Sequence, residues 1–313
     1  MEFPVFDLHC DTANELIGLG GVPCSDLRRN SAHIDLERAG KLPGYTQCFA
    51  CFTTTGSKNK PADIFEKKLS AILSEIEKNK DMIQLAYTAE DIETNLNNGM
   101  MSAVLTIEGS AGFGFDPAIL EDLYKIGFRI TSLGWNEKNP LTGSCVTGGG
   151  LTDMGASYVR EAQRLGMLID VSHISDEGFW DIMDITDAPV IATHSNSRHM
   201  WNVKRNLTDE MFLEICKTGG VAGINLYPDF LGENATLDTV CDHVFHFLEL
   251  DPTGTHISLG GDLDGIDSLP KNVEGIQSYP AIAQHLIQRG LDNNTVMNIF
   301  WNNAVGVMKK CCM

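Results

Sequence analysis

Two runs, Met167-Leu168-Ile169-Asp170-Val171-Ser172-His173 and Pro189-Val190-Ile191-Ala192-Thr193-His194, decide how this chain folds. Each is apolar and β-branched, has the length of a strand buried on both faces, and stops on a histidine. Between them, residues 176–184 read as a short helix with Phe179, Ile182 and Met183 on one side, so the unit is strand, helix, strand. Parallel strands bring their carboxyl ends to one rim, which sets His173 and His194 side by side. A lone histidine at a strand end is more often a hydrogen-bonded structural residue than a ligand. Two at equivalent positions make a metal site an equal competitor, and the rest of the chain has to decide.

Working outward, residues 4–9 form a first strand that ends in His9-Cys10-Asp11. In H-x-D the two ligand-type side chains are two apart and share a face, while Cys10 points away. Residues 44–52 form the second strand. Residues 62–78 form an amphipathic helix buried through Ile64, Phe65, Leu69, Ile72, Leu73 and Ile76, its Lys/Glu face expected in solvent. Thr88 caps a further helix, with Asp91 in the capping-box position. The third strand, 103–109, closes on Glu108. A carboxylate there is costly unless paired or metal-bound, and the structural competitor is an ion pair with a residue such as Arg129.

Residues 128–135 form a fourth strand, followed by a Gly-rich loop, 136–150, which lacks the Lys-Ser/Thr ending of a phosphate cradle and reads as a mobile flap. A helix over 152–165 leads into the opening pair of strands. After His194 comes a basic connection with Arg198, His199, Lys204 and Arg205, suited to gripping a carboxylate, although one of its arginines is expected only to pair with an acid. Thr208 caps the helix to Lys217, and residues 220–227 form strand seven, ending at Tyr227. Residues 256–262 form strand eight, ending at Asp262, with Asp264 close to an ordinary turn residue. Helices are expected over 238–250, 280–288 and 293–308, with His243, His246 and His285 as packing or surface residues.

Eight strands separated by helices, without linker or repeat, predict a single (β/α)8 TIM barrel of the metal-dependent hydrolase type spanning 1–313. The excess of 42 Asp+Glu over 23 Lys+Arg, a net charge of −19, argues against nucleic acid and anionic membranes as partners and favours a small substrate. The first residues carry no basic, apolar leader and the chain no membrane-length apolar run, so a cytoplasmic location is expected. Nine cysteines fit a reducing compartment. Cys48-x-x-Cys51 lies inside a strand, where residues three apart face opposite ways and cannot share a metal.

Ligand-type residues thus close strands one, three, five, six and eight. His9, Asp11, Glu108, His173 and His194 exceed the needs of one tetrahedral zinc. Two metals about 3.5–4 Å apart, bridged by Glu108 and a hydroxide, would use them all and could hydrolyse an amide or related acyl bond, with a free Asp at the mouth moving the proton. No Gly-x-Ser-x-Gly follows any strand.

Taken together, Asp7-Leu8-His9-Cys10-Asp11-Thr12, Ile107-Glu108-Gly109, residues 166–173, Thr193-His194-Ser195, Arg205-Asn206-Leu207-Thr208-Asp209 and residues 260–265 resemble the membrane (renal) dipeptidase family of zinc peptidases, in order and over nearly the whole chain. The resemblance implies a homodimeric TIM barrel that cleaves free dipeptides, including those with a C-terminal D-residue. It implies two zinc ions per chain, one on His9, Asp11 and Glu108 and the other on Glu108, His173 and His194. It makes Arg205 the holder of the substrate carboxylate, Asp262 the proton-transfer residue, and Arg198 and Tyr227 further contacts with substrate. One departure stands out. Where mammalian members carry a substrate-contacting histidine after strand four, this chain reads Leu133-Gly134-Trp135-Asn136, as bacterial members tend to, so Trp135 takes that place with at most an indole N–H to donate. Another small amide, a cyclic amide or a lactone is the competing substrate, although enzymes of that kind more often begin with H-x-H and carry a lysine on strand four.

Overall fold

In the computed structural model, which describes residues 3–20 and 26–312, the apolar runs become the staves of a barrel. We number these strands β1 (Val5–Cys10), β2 (Tyr45–Phe52), β3 (Met101–Glu108), β4 (Phe128–Ser132), β5 (Leu168–Asp170), β6 (Val190–Ile191), β7 (Ala222–Ile224) and β8 (Ile257–Leu259). All neighbouring pairs are parallel: β7 lies beside β8, β8 beside β1, and the order then runs on to β6. Ala192 closes the ring, because it meets Ala222 and exchanges backbone hydrogen bonds with Val221 O and Gly223 N. Helices cover the outside, as a parallel sheet buried on both faces requires.

Alternation along the strands sorts side chains into two layers. Phe6, Leu8, Cys48, Val104, Ile130, Leu168 and Ile191 join one buried cluster with Trp301, Val305 and Met308 from the C-terminal segment. A cluster that takes members from six successive strands fills the lumen, so the barrel is a packed core and not a pore. Cys51, Leu105, Ile107 and Ile169 belong to the other cluster, under the helices. Cys48 and Cys51 are thereby separated into opposite layers.

Several details differ from the sequence reading. Residues 136–150 hold a two-stranded antiparallel ribbon, Thr142–Ser144 against Gly148–Leu151, and not a free flap. The ribbon is docked: Leu151 N donates to Asp181 Oδ2 at 2.7 Å, and Ser175 Oγ donates to Gly149 O at 2.5 Å. Gly143 makes this closeness possible, since a Cβ there would lie 2.0 Å from Gly148 O. A short strand, Ile83–Leu85, pairs outside the ring with β3, too brief to show as a periodic run. The last helix is interrupted by a π-helical turn, Asn298–Asn302, which puts Phe300 and Trp301 into the core. Strands five to eight are shorter than their apolar runs, because the chain turns out of the sheet before the residues that matter most.

Candidate metal centre

The centre begins with an irregularity in β1. Phe6 and Leu8 face the lumen, so strict alternation would turn Cys10 inward and His9 outward. The β1–β2 register shifts between Asp7 and Cys10, and this bulge re-aims His9 into the mouth. Asp7 holds the distortion from behind: it is fully buried, its Oδ1 accepts from His9 N and Gly261 N at 3.0 Å each, and Tyr279 OH bonds Oδ2. His9 Nε2 then lies 3.4 Å from Asp11 Oδ2. Cys10 packs elsewhere, its sulfur 3.3 Å from Thr12 Oγ1.

Glu108, the last residue of β3, stands between two groups. Its Oε2 is 3.4 Å from His9 Nε2, and its Oε1 is 3.0 Å from His173 Nε2 and 3.8 Å from His194 Nε2. The imidazoles crowd together, with His173 and His194 Nε2 atoms 3.0 Å apart and the His9 and His194 rings stacked at 3.7 Å. Arg129 takes no part, since its guanidinium binds the carbonyls of Tyr87, Tyr124 and Phe128. An ion pair between Arg129 and Glu108 is thus absent.

Behind β5 and β6 the histidines are fixed by polar partners. His194 Nδ1 lies 2.7 Å from Thr193 Oγ1, which donates to Asp170 Oδ2 at 2.6 Å. Asp170 Oδ1 takes the backbone N–H groups of Ser172 and Thr193, tying the two strand ends together. His173 Nδ1 lies 2.8 Å from Asn136 Oδ1. His173 is not in its strand at all: it sits at φ 71°, past the end of β5, and Asp262 sits at φ 57°, past the end of β8. Left-handed backbone at non-glycine residues costs energy, and such strain gathers at functional sites.

The electrostatics are lopsided. Burial disfavours charge on His9, but Glu108 and Asp11 outweigh it and hold His9 well above the usual imidazole range. Burial alone would raise Glu108, yet the His9 charge, with His173 close to its other oxygen, holds it well below the carboxylate range. His173 goes the other way, to about 4, through burial and the nearby Arg205 charge, and burial with the His9 charge depresses His194 strongly. Burial lifts Asp262 to about 7. Its Oδ2 accepts from Asn225 Nδ2 at 3.0 Å, leaving Oδ1 facing His9 Nε2 at 3.8 Å. His9 Nε2 and Glu108 Oε2 are buried with no hydrogen-bond partner. Two groups built around these atoms, His9–Glu108–His194 and His9–Asp11–Asp262, could hold metal ions.

Beside this cluster lies the basic connection. Arg205 is buried, its Nη1 donating to Ser195 Oγ at 2.6 Å, while Nε and Nη2 have no partner. Arg198 is fully engaged: both terminal nitrogens bind Asp176, and it also donates to Asn206 O and Lys204 O. It is the arginine of the pair that meets an acid, and it props the connection on which Arg205 rides. Trp135 packs edge-on to Phe52 at 4.9 Å and lines two hollows at the mouth. One, of about 240 Å³, is also lined by Glu108, His173, Tyr227, Phe230 and Asp262; the other, of about 490 Å³, reaches from Asp11 and Glu108 to His33. Asp264 is a structural turn residue, accepting from Thr12 Oγ1 and His33 N at 2.6 Å each.

Sequence reasoning missed four contributors. Lys68 lies on the face assigned to solvent but is 1% exposed, because its ammonium donates to Phe52 O and its charge reaches Asp11 and Glu108. Asp170 carries a signal, a charged residue inside an apolar strand. Asn136 and Asn225 offered none, since their partners are remote in sequence.

Comparison with known proteins places this geometry. A family model described as membrane dipeptidase (peptidase family M19) matches residues 1–312. An uncharacterized dipeptidase of Schizosaccharomyces pombe is 35% identical over 216 residues, covering 67% of this chain and 53% of that protein, so the chain spans about half the length of that relative. An uncharacterized protein of Klebsiella pneumoniae from the pqqA 5' region is 30% identical over 263 residues, covering 80% of this chain and 96% of that protein. Among solved structures, a metallopeptidase of Rhodobacter sphaeroides bound to a phosphinate mimic of the dipeptide L-Ala-D-Ala superposes with TM-score 0.89 at 22% identity, covering 99% of this chain and 100% of that one. At that identity the likeness speaks for the fold.

Proposed function

The chain belongs to the membrane dipeptidase family, peptidase family M19, and from that premise we propose that it is a binuclear zinc dipeptidase that hydrolyses free dipeptides, those with a C-terminal D-residue included. The observation that carries this reading is the placement of Glu108, whose two carboxylate oxygens face separate groups, His9 with Asp11 on one side and His173 with His194 on the other. A carboxylate can serve two cations where an imidazole cannot. The residues fit such a pair, because His9 Nε2 and Glu108 Oε2 are buried without hydrogen-bond partners and need something to satisfy them.

His9, Asp11 and Glu108 would hold one zinc, and Glu108, His173 and His194 the other. The pair supplies Lewis acidity to the scissile carbonyl and lowers the pKa of the attacking water. Arg205 binds the substrate's free carboxylate, for which its buried, unpartnered Nε and Nη2 form a ready fork. Asp262 moves the proton to the leaving amine, held for that task by Asn225. Trp135 and Tyr227 both line the hollow in which the substrate would sit. Arg198, itself paired with Asp176, holds the backbone on either side of Arg205 through Lys204 O and Asn206 O.

The described residues include no helix long and apolar enough to cross a membrane. The eight described cysteines are all unpaired, which supports a cytoplasmic setting; assembly as a homodimer rests on the family resemblance and is checked by light scattering. The activity itself is tested with a panel of free L,L-, L,D- and Gly-containing dipeptides and their C-terminal amides on zinc-loaded protein. Free dipeptides are expected to be cleaved. The amides, which offer Arg205 no carboxylate, should be slower by roughly 10–100-fold in kcat/KM, the size of a charge-assisted bidentate bond. Equal rates on both would remove the role given to Arg205, and no hydrolysis of any dipeptide would overturn the reading.

A further inference from the structure

At the opposite end of the barrel, three side chains converge that the proposed reaction does not use. Cys216 lies in the helix Asp209–Thr218, Asp251 follows the last residue of the helix Leu237–Leu250, and His256 immediately precedes β8. One ligand atom from each lies within 4.8 Å of the others.

The hydrogen bonds of this cluster leave donor atoms over. His256 Nδ1 is 2.7 Å from Gly220 O. A carbonyl only accepts, so Nδ1 carries the proton and Nε2 presents a lone pair. That is the arrangement by which metal-binding histidines are usually oriented. Asp251 is 8% exposed. Its Oδ1 accepts from Thr253 N and Oγ1, at 3.1 and 2.5 Å, which accounts for the turn there. Its Oδ2 is buried with no hydrogen-bond partner. Among the described residues Asp251 forms no ion pair, and Cys216 is a free thiol. A buried carboxylate oxygen without a partner, in a cluster with a thiol and an imidazole, is unfavourable as it stands, because among the described residues no ion pair answers it.

We propose that Cys216, Asp251 and His256 form a second metal site, separate from the catalytic pair, that takes zinc or another borderline divalent cation. The donor set is one thiolate, one imidazole and one carboxylate. It suits a tetrahedral ion whose fourth position is water, and it disfavours magnesium or calcium, which want oxygen ligands throughout. A thiol-based hydrolytic triad is the other chemistry these residues could suggest. It fits less well, since burial and the Asp251 charge push the Cys216 thiol up to about 12, where it is a poor nucleophile. A bound cation reverses that penalty and draws the thiolate out. The ion would pin two outer helices to the start of β8, at the end of the barrel where fixed residues serve stability.

The test uses cobalt as the probe. Apo-protein reloaded with Co²⁺ should show thiolate-to-cobalt charge-transfer absorption in the near ultraviolet. Cys216→Ser should lose that band and bind one cobalt fewer per chain, and Asp251→Asn and His256→Gln should weaken it. Glu108→Gln, which disables the proposed catalytic pair, should keep it, so the two proposals fail independently. Where a variant does not fold, wild-type protein answers alone: zinc should slow alkylation of Cys216 by roughly tenfold or more, read by peptide mass mapping, and leave Cys311 unchanged. No band in the wild type, a band that survives Cys216→Ser, or alkylation indifferent to zinc would overturn the proposal.

Discussion

The two halves of the barrel mouth solve one problem in different ways. On the β5–β6 side the imidazoles of His173 and His194 are gripped through Nδ1, by Asn136 and by the Thr193–Asp170 chain. Both are pushed toward the neutral form, the form that binds metal. On the β1–β3 side no such side-chain grip on His9 is seen among the described residues. It is aimed instead by the bulge in β1, which Asp7 and Tyr279 lock from behind. Two carboxylates flank it and favour its charged form. The contrast teaches that one position is built from side-chain hydrogen bonds and the other from distorted backbone, with Glu108 common to both.

The hardest way to break that comparison is to remove the shared member. Glu108→Gln keeps the shape but takes away the charge that both sides use, so metal at both positions should fall together. Turnover of a free dipeptide is expected to drop by about 10³-fold or more. Metal analysis beside the rate measurement decides it. If the variant loses metal from one side alone, Glu108 does not bridge.

A smaller effect sharpens the distinction between holding metal and moving a proton. Asp262 faces His9 but is held by Asn225. Asp262→Asn should lower kcat by about 10²–10⁴-fold, the usual worth of a positioned acid–base group, while both metals stay bound. Metal loss to match the loss of rate would place Asp262 among the ligands, as its proximity to His9 and Asp11 allows.

The same contrast explains what the amino-acid sequence does and does not reveal. The barrel was legible because buried parallel strands are continuous apolar runs, and residues such as Glu108 and His194 announce themselves by following them. Four things stayed hidden for physical reasons. Strand ends were over-read, since nothing in Ser172-His173 or Gly261-Asp262 marks the left-handed turn each takes. The bulge depends on pairing with β2, which one strand's pattern cannot show. Lys68 looked solvated because helical periodicity locates a residue on a helix and not what packs over it. The Gly-rich segment suggested motion, whereas its glycines allow two backbones to touch.

The finest test separates the two kinds of support. Thr193→Val removes the hydroxyl between Asp170 and His194 with little change of shape, and Asn136→Ala removes the partner of His173 Nδ1. Loss of such an orienting group typically weakens metal binding by about 10–100-fold. Because neither residue touches His9 or Asp11, the weakening should fall on one equivalent of zinc and spare the other, giving a two-step chelator titration where the wild type's steps lie closer together. Tyr279→Phe is the reciprocal change, removing the hydroxyl bonded to Asp7, and it should weaken the other equivalent. If all three variants shift both equivalents alike, the halves are mechanically one unit, and the bulge and the side-chain relay support a single structure.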